Sequence, residues 1–136
     1  MQTADNQSKR FGLTSNRKLK KLFIKFIEWD KITKAENLIH LHPELDIPWQ
    51  KSFENAAMNK MKRAAEWIYE NAMKSGLKID IHFENDKLLN YLVMQECQYF
   101  IKWFISLEPD YPWLSKITIE NITHSRKDIL DILLSL

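Results

Sequence analysis

The sequence predicts an all-α fold, an α-solenoid in which short helix–turn–helix repeats stack on one another. Three observations predict it: the chain has only two glycines and four prolines among 136 residues, apolar residues recur at helical spacing, and one pattern returns about every 30 residues. A β-sandwich or barrel needs many tight turns, and so few glycines argue against one. Glycine-rich phosphate loops are excluded too, because Gly12 and Gly76 stand far apart.

The N-terminal end is basic and shows no apolar periodicity. Residues 1–25 contain seven basic residues and one acidic residue, a charge of +6, which leaves −4 for the rest of a chain whose total is +2. We therefore predict a flexible basic tail over residues 1–18 and a folded stack over residues 19–136. The tail lacks the apolar core of a secretory signal, and one cysteine allows no internal disulfide. An intracellular location is expected.

Four units follow one another, at offsets of 30, 36 and 29 residues. Residues 23–39 match residues 53–69, which match residues 89–105, and residues 87–107 match residues 116–136 without a gap. We predict units over residues 19–50, 51–86, 87–115 and 116–136, each with a short first helix, a second helix and a loop. The alternative is an ordinary helical bundle whose helices happen to align, and the length of the gapless match favours the repeat.

Helix breakers set the predicted boundaries within the units. In the second unit, the first helix is predicted over residues 52–59 and the second over residues 62–73, with Gly76 placed to cap it in a left-handed conformation. In the first and third units, the second helix should stop before Pro43 and Pro109, since proline disfavours helix in the preceding residue. The last unit should end on its second helix. One helix pair cannot bury its apolar face alone, so stacking is required.

The units resemble the ankyrin repeat family. Residues 79–82, Ile-Asp-Ile-His, resemble the family's loop, and residues 56–59 place an alanine pair and an asparagine where the family has a small pair and an asparagine. Residues 65–70, Ala-Glu-Trp-Ile-Tyr-Glu, resemble the second helix of ankyrin repeats from giant DNA viruses such as mimivirus. The family's Gly-His at the inter-helix turn is replaced by Lys60-Met61 and Glu96-Cys97.

The resemblance implies a non-enzymatic protein–protein interaction module, a viral protein acting in the cytoplasm of an infected cell. It would bind a protein partner through its loop tips and the exposed side of its first helices, with aromatic anchors and polar groups that give specificity. The residues predicted to do so are Asp46, Trp49, Asp80, His82, Glu84, Asn85, Asp110, Tyr111 and Trp113. For Trp49, Tyr111 and Trp113, the alternative is packing against their own helix pair.

Nucleic-acid binding through the basic segment is the second candidate function. Phosphate contacts would come from Lys9, Arg10, Arg17, Lys18, Lys20 and Lys21. The alternative is a solvated cap on the first helix, in which Lys18, Lys21 and Lys25 supply the polar outer face that a terminal repeat needs. At the other end, the apolar residues Leu133 and Leu134 indicate self-association through the last unit.

No pattern in the sequence points to catalysis, a metal or a cofactor. Cys97 has no histidine near it in its unit, and His40 and His42, two residues apart, point to different helix faces. Trp67 and Trp103 occupy equivalent positions and are expected to pack between units. We therefore expect no enzyme activity, no cofactor and no membrane partner.

Overall fold

The computed structural model describes residues 16–135, and these residues contain helices and no strand. The predicted all-α class is therefore confirmed. Helix α1 includes residues 16–28. The helices that follow are α2 (Ile32–Leu41), α3 (Trp49–Met58), α4 (Lys62–Lys74), α5 (Phe83–Met94), α6 (Gln98–Leu107), a short 3₁₀ helix (Trp113–Lys116), α7 (Ile119–Thr123) and α8 (Lys127–Leu134).

The predicted tail overlaps the first helix. Residues 16–18, which we assigned to the tail, are helical in the structure. Arginine and lysine are good helix formers, so the basic residues extend the helix toward the N-terminus without any apolar periodicity. The remaining tail residues, among them Lys9 and Arg10, lie outside the described part of the chain.

The predicted helix ends agree with the structure, and two helix starts do not. Helices α2 and α6 end before the prolines, and Gly76, at φ 86°, terminates α4. Helix α3, however, starts at Trp49 rather than at residue 52, and Trp113 starts the 3₁₀ helix, so neither tryptophan lies in a loop as predicted. Each follows a proline, at φ −78° and −77°. Proline fixes φ near the helical value and suits a helix start.

Three inter-helix turns share one geometry. Asp30, Lys60 and Glu96 have φ of 55°, 58° and 55°, in the left-handed region. In each turn the next residue's N–H donates to the carbonyl five residues back, over 2.7 to 2.9 Å. This is the hydrogen-bond pattern of a Schellman motif. The three residues are 30 and 36 positions apart, the same offsets as in the sequence. Ser125, a further 29 residues on, lacks this conformation.

The helices contact one another in two sets. Within units α3 packs on α4 and α5 on α6, and between units α3 contacts α5, α5 contacts α7 and α6 contacts α8. One aromatic contact recurs at equivalent positions. The Phe23 ring lies 6.2 Å from Trp67, and the Phe53 ring, 30 residues after Phe23, lies 6.0 Å from Trp103, 36 residues after Trp67. Both tryptophans thus pack against the core between units, as predicted.

Candidate functional site

The second and third loops meet at four charged and aromatic residues, here called the His82 cluster: His82, Asp86, Glu108 and Tyr111. His82 directly precedes α5, and Asp86 lies near the start of that helix. Glu108 caps the C-terminus of α6 because Pro109 stops the helix there, and Tyr111 follows in the third loop. The packing of α5 on α6 therefore brings the start of α5 against the end of α6 and the loop that follows it.

The His82 ring lies between two carboxylates. Its Nδ1 is 2.6 Å from Asp86 Oδ1, and its Nε2 is 2.5 Å from Glu108 Oε2. Ionised carboxylate oxygens only accept hydrogen bonds, so the imidazolium form, which donates from both nitrogens, satisfies all of these groups. The Asp86 side chain is almost fully buried, with 4% exposed, and a buried charge of this kind requires such partners.

Tyr111 completes the cluster by stacking on a face of the His82 ring, whose edge contacts the two carboxylates. The two rings stack with centroids 3.8 Å apart, and the Tyr111 hydroxyl donates to Asp86 Oδ2 over 2.5 Å. The pKa of Tyr111 is raised to about 12 by burial first, then by the hydrogen bond to Asp86 and by the negative charges of Asp86, Glu108 and Asp80. The phenol therefore stays a neutral donor at physiological pH.

A left-handed turn positions the Asp86 carboxylate. Glu84, Asn85 and Asp86 have φ of 49°, 57° and 58°, and the Asp86 N–H donates to the His82 carbonyl over 3.2 Å. Asparagine and aspartate tolerate this region better than other residues with a side chain. The right-handed part of α5 begins only at Lys87.

The chemistry of the cluster is that of a lock between loops. Both ring nitrogens of His82 are engaged by carboxylates, so neither is free to act as a base. Trp113 reinforces the lock, since its Nε1 donates to the Glu108 carbonyl over 2.8 Å and its ring centre lies 5.2 Å from that of His82. Across residues 16–135, no group of three or more His, Cys, Asp or Glu side chains is arranged to hold a metal ion.

Amide side chains of the first helices hold the neighbouring loop backbones. Gln50 on α3 donates to the Asp80 carbonyl over 2.9 Å and accepts from the Asp80 N–H over 2.8 Å. Asn90 on α5 does the same for the next loop, with the Lys116 carbonyl and the Thr118 N–H. The second loop is therefore fixed to α3 and the third to α5 by a pair of hydrogen bonds each, which reduces the conformations available to their tips.

The two tryptophans among the predicted site residues lie in the core. Trp49 is 7% exposed and packs against Phe23, with ring centres 5.6 Å apart, and Trp113 is 1% exposed. Packing, the alternative that we gave for both, is what the structure contains. In this conformation neither indole ring offers a surface to a partner.

The other predicted site residues divide between the cluster and the loop tips. His82 and Tyr111 are half-buried in the His82 cluster, and Asp80 adjoins it because its Oδ1 accepts from the His82 N–H over 2.9 Å. The exposed ones are Asp46, Asp80, Glu84, Asn85 and Asp110. The first loop is separate from the cluster, and there Asp46 lies 3.9 Å from Lys20 in an exposed ion pair.

Two residues of the cluster were missed by the sequence predictions. Asp86 follows His82 by four positions, a spacing that brings side chains together on a helix and could have drawn notice. Glu108 gave no such signal, because it lies 26 residues from His82 and is joined to it only by the packing of α5 against α6.

The remaining sequence candidates take no part in the cluster. On α1, Arg17, Lys18 and Lys21 are exposed, in keeping with either of their two predicted roles. Cys97 is a half-buried free thiol that precedes α6. Among the described residues, no helix combines the length and the apolar character that crossing a membrane requires.

Comparison with known proteins gives no relationship. No protein-family model, no curated protein and no solved structure matches this chain.

Proposed function

We propose that the chain is a non-enzymatic protein–protein interaction module, built as a stack of ankyrin-like helix–turn–helix repeats. The recurrence of the same left-handed turn at Asp30, Lys60 and Glu96 supports the repeat, because it follows the offsets found in the sequence. These residues stand where the ankyrin family has its turn glycine. The likeness of residues 65–70 to giant-virus repeats supports a viral protein that acts inside an infected cell.

The observation that carries the proposal is a row of three loops with exposed polar tips, of which the second and third are held by hydrogen bonds to α3 and α5. Asp46, Asp80 and Asp110 are all exposed, one in each of the first three loops. The second and third loops are joined through the His82 cluster, and residues of the first loop line a groove together with Ser75 and Leu77. A surface that is ordered before binding loses less conformational entropy when a partner binds.

Affinity capture from a cell lysate, with and without nuclease, tests this function. The bait is the full chain, and the variant carries Asp46→Lys, Asp80→Asn and Asp110→Lys at the three loop tips. We expect a defined set of proteins that survives nuclease treatment and is lost with the variant, while circular dichroism stays unchanged. A matched control reverses charges on the second helices, at Lys34 and Lys102, which are also exposed. Equal capture by wild type and loop variant would contradict the proposal.

Nucleic-acid binding through α1 is the second candidate, favoured by its exposed Arg17, Lys18 and Lys21. Each phosphate contact made to a single strand should add about −0.7 to the slope of log affinity against log salt. We would measure anisotropy of a labelled oligothymidylate with wild type and with all three residues changed to Gln. A slope that the substitutions leave unchanged would dismiss this candidate.

A further inference from the structure

Lysines recur at the repeat offsets on α1, α3 and α5 and at the end of the 3₁₀ helix that precedes α7. Lys21, Lys51, Lys87 and Lys116 are separated by 30, 36 and 29 residues, the offsets of the repeat, and all four are exposed. The residues that follow Lys51 and Lys87, Ser52 and Leu88, are both buried. The lysines therefore occupy equivalent solvent-facing positions, and we call them the lysine row.

A second row runs beside the first on the two central helices. Met58 and Met94 follow Lys51 and Lys87 by seven residues, and Asn55 and Tyr91 follow the same lysines by four. Positions i, i+4 and i+7 share one face of a helix. Met94 is 59% exposed and Met58 is half-buried. A rise of 1.5 Å per residue separates the lysine and methionine rows by about 10 Å.

The spacing along the rows fits another helix. Helices α3 and α5 are in contact, as are α5 and α7, and packed helices lie about 8–10 Å apart. Residues seven apart on a helix are separated by about 10.5 Å, nearly the same repeat. A helix is also about 10–12 Å wide with its side chains, so a helix laid across the first helices can touch both rows.

We infer that the first-helix face binds an acidic amphipathic helix of a partner protein, with carboxylates at heptad spacing over the lysine row and apolar side chains over the methionine row. This inference rests on the proposed function and names the chemistry of the partner. Methionine adapts to varied apolar partners, and Tyr91 adds an aromatic contact. A phosphodiester backbone fits less well, because it has no group for the methionine row. The exposed carboxylates of Asp80 and Glu84, the latter 3.4 Å from Lys87, lie beside the lysine row for either partner and do not discriminate between the two.

The test uses a labelled helical peptide of three heptads, composed of alanine, leucine and glutamate, with leucine and glutamate stripes on adjacent faces. A peptide with lysine in place of glutamate is its control, and an oligothymidylate is the second probe. We expect saturable binding of the acidic peptide that weakens with salt. The double variant Lys51→Gln, Lys87→Gln should lose about 10-fold in affinity, and Met58→Ser, Met94→Ser a similar factor.

Matched controls come from exposed residues of the second helix α4. Lys74→Gln and Met73→Ser should change affinity by less than about twofold. Equal binding of the acidic peptide by wild type and by both double variants would overturn the inference, as would binding of the lysine peptide. Tighter binding of oligothymidylate than of the acidic peptide, dependent on the lysine row alone, would replace the partner with nucleic acid. If the peptide does not bind while captured proteins still depend on the loop tips, this inference fails and the proposed function stands.

Discussion

Replacing Trp113 with alanine tests whether a tryptophan predicted as a binding anchor is instead part of the core. The side chain is 1% exposed, its ring centre lies 4.8 Å from Tyr111 and 6.4 Å from Phe104, and its Nε1 donates to the Glu108 carbonyl. Truncating a buried tryptophan costs about 3–5 kcal/mol, and the lost hydrogen bond adds about 1 kcal/mol. We expect the free energy of unfolding to fall by about 4–6 kcal/mol.

Urea unfolding followed by far-ultraviolet circular dichroism measures this change. With a denaturant slope of about 2 kcal/mol per molar, the urea midpoint should fall by about 2–3 M. Leu114→Ala is the matched control, since Leu114 is the next residue of the same 3₁₀ helix and is 38% exposed. The control should shift the midpoint by less than about 0.5 M. An unchanged midpoint for Trp113→Ala, together with lost partner binding, would refute the packing account and restore the anchor role.

Three further predictions concern the His82 cluster and the turns. Because the Tyr111 pKa is raised to about 12 from 10.0, its contribution to stability should be complete below pH 10 and be lost as the pH rises toward 12. Ultraviolet titration should find one tyrosine that titrates near pH 12 and that is missing from the Tyr111→Phe variant. Titration of every tyrosine near pH 10 would contradict this. Asp86→Ala should lower the free energy of unfolding by about 3 kcal/mol, because it leaves His82 Nδ1 and the Tyr111 hydroxyl without their partner. A loss below about 1 kcal/mol would refute the lock. Lys60→Gly should raise the melting temperature through a stabilisation of about 0.5–1 kcal/mol, since glycine relieves the left-handed strain, whereas Lys60→Ala should not. A lower melting temperature for the glycine variant than for wild type would show that the turn is not strained.

Local patterns in the sequence predict much of the fold. Shared residues such as Ala35-Glu36 and Ala65-Glu66 mark equivalent helices, and Gly76 marks a helix end by its freedom at positive φ. The positions of the repeated turns could be predicted from the sequence, but their left-handed backbone conformation could not, since lysine and glutamate at residues 60 and 96 do not favour positive φ. Trp49 and Trp113 were wrongly assigned to loops because each follows a proline, and proline also occurs at the start of helices, not only beyond their ends.

The site was less predictable because it depends on contacts between distant residues. His82 and Tyr111 were selected for residue type and loop position, and the structure joins them through Asp86, which the sequence predictions passed over. The contact between His82 and Glu108 spans 26 residues and requires the packing of α5 against α6. The left-handed turn at residues 84–86 decides where the Asp86 carboxylate points, and glutamate at its start is a poor predictor of such a turn.

Photo-crosslinking tests the binding surface most directly. A photoreactive amino acid is placed one position at a time at Lys51, Asp80 or Asp110 on the first-helix face and loop tips, and at Lys34, Lys74 or Lys102 on the second helices. All six positions are exposed, so the two sets differ in location and not in accessibility. Our account predicts adducts to the same protein partner from the first set and none from the second. Adducts from the second set alone, or adducts only to nucleic acid, would contradict it.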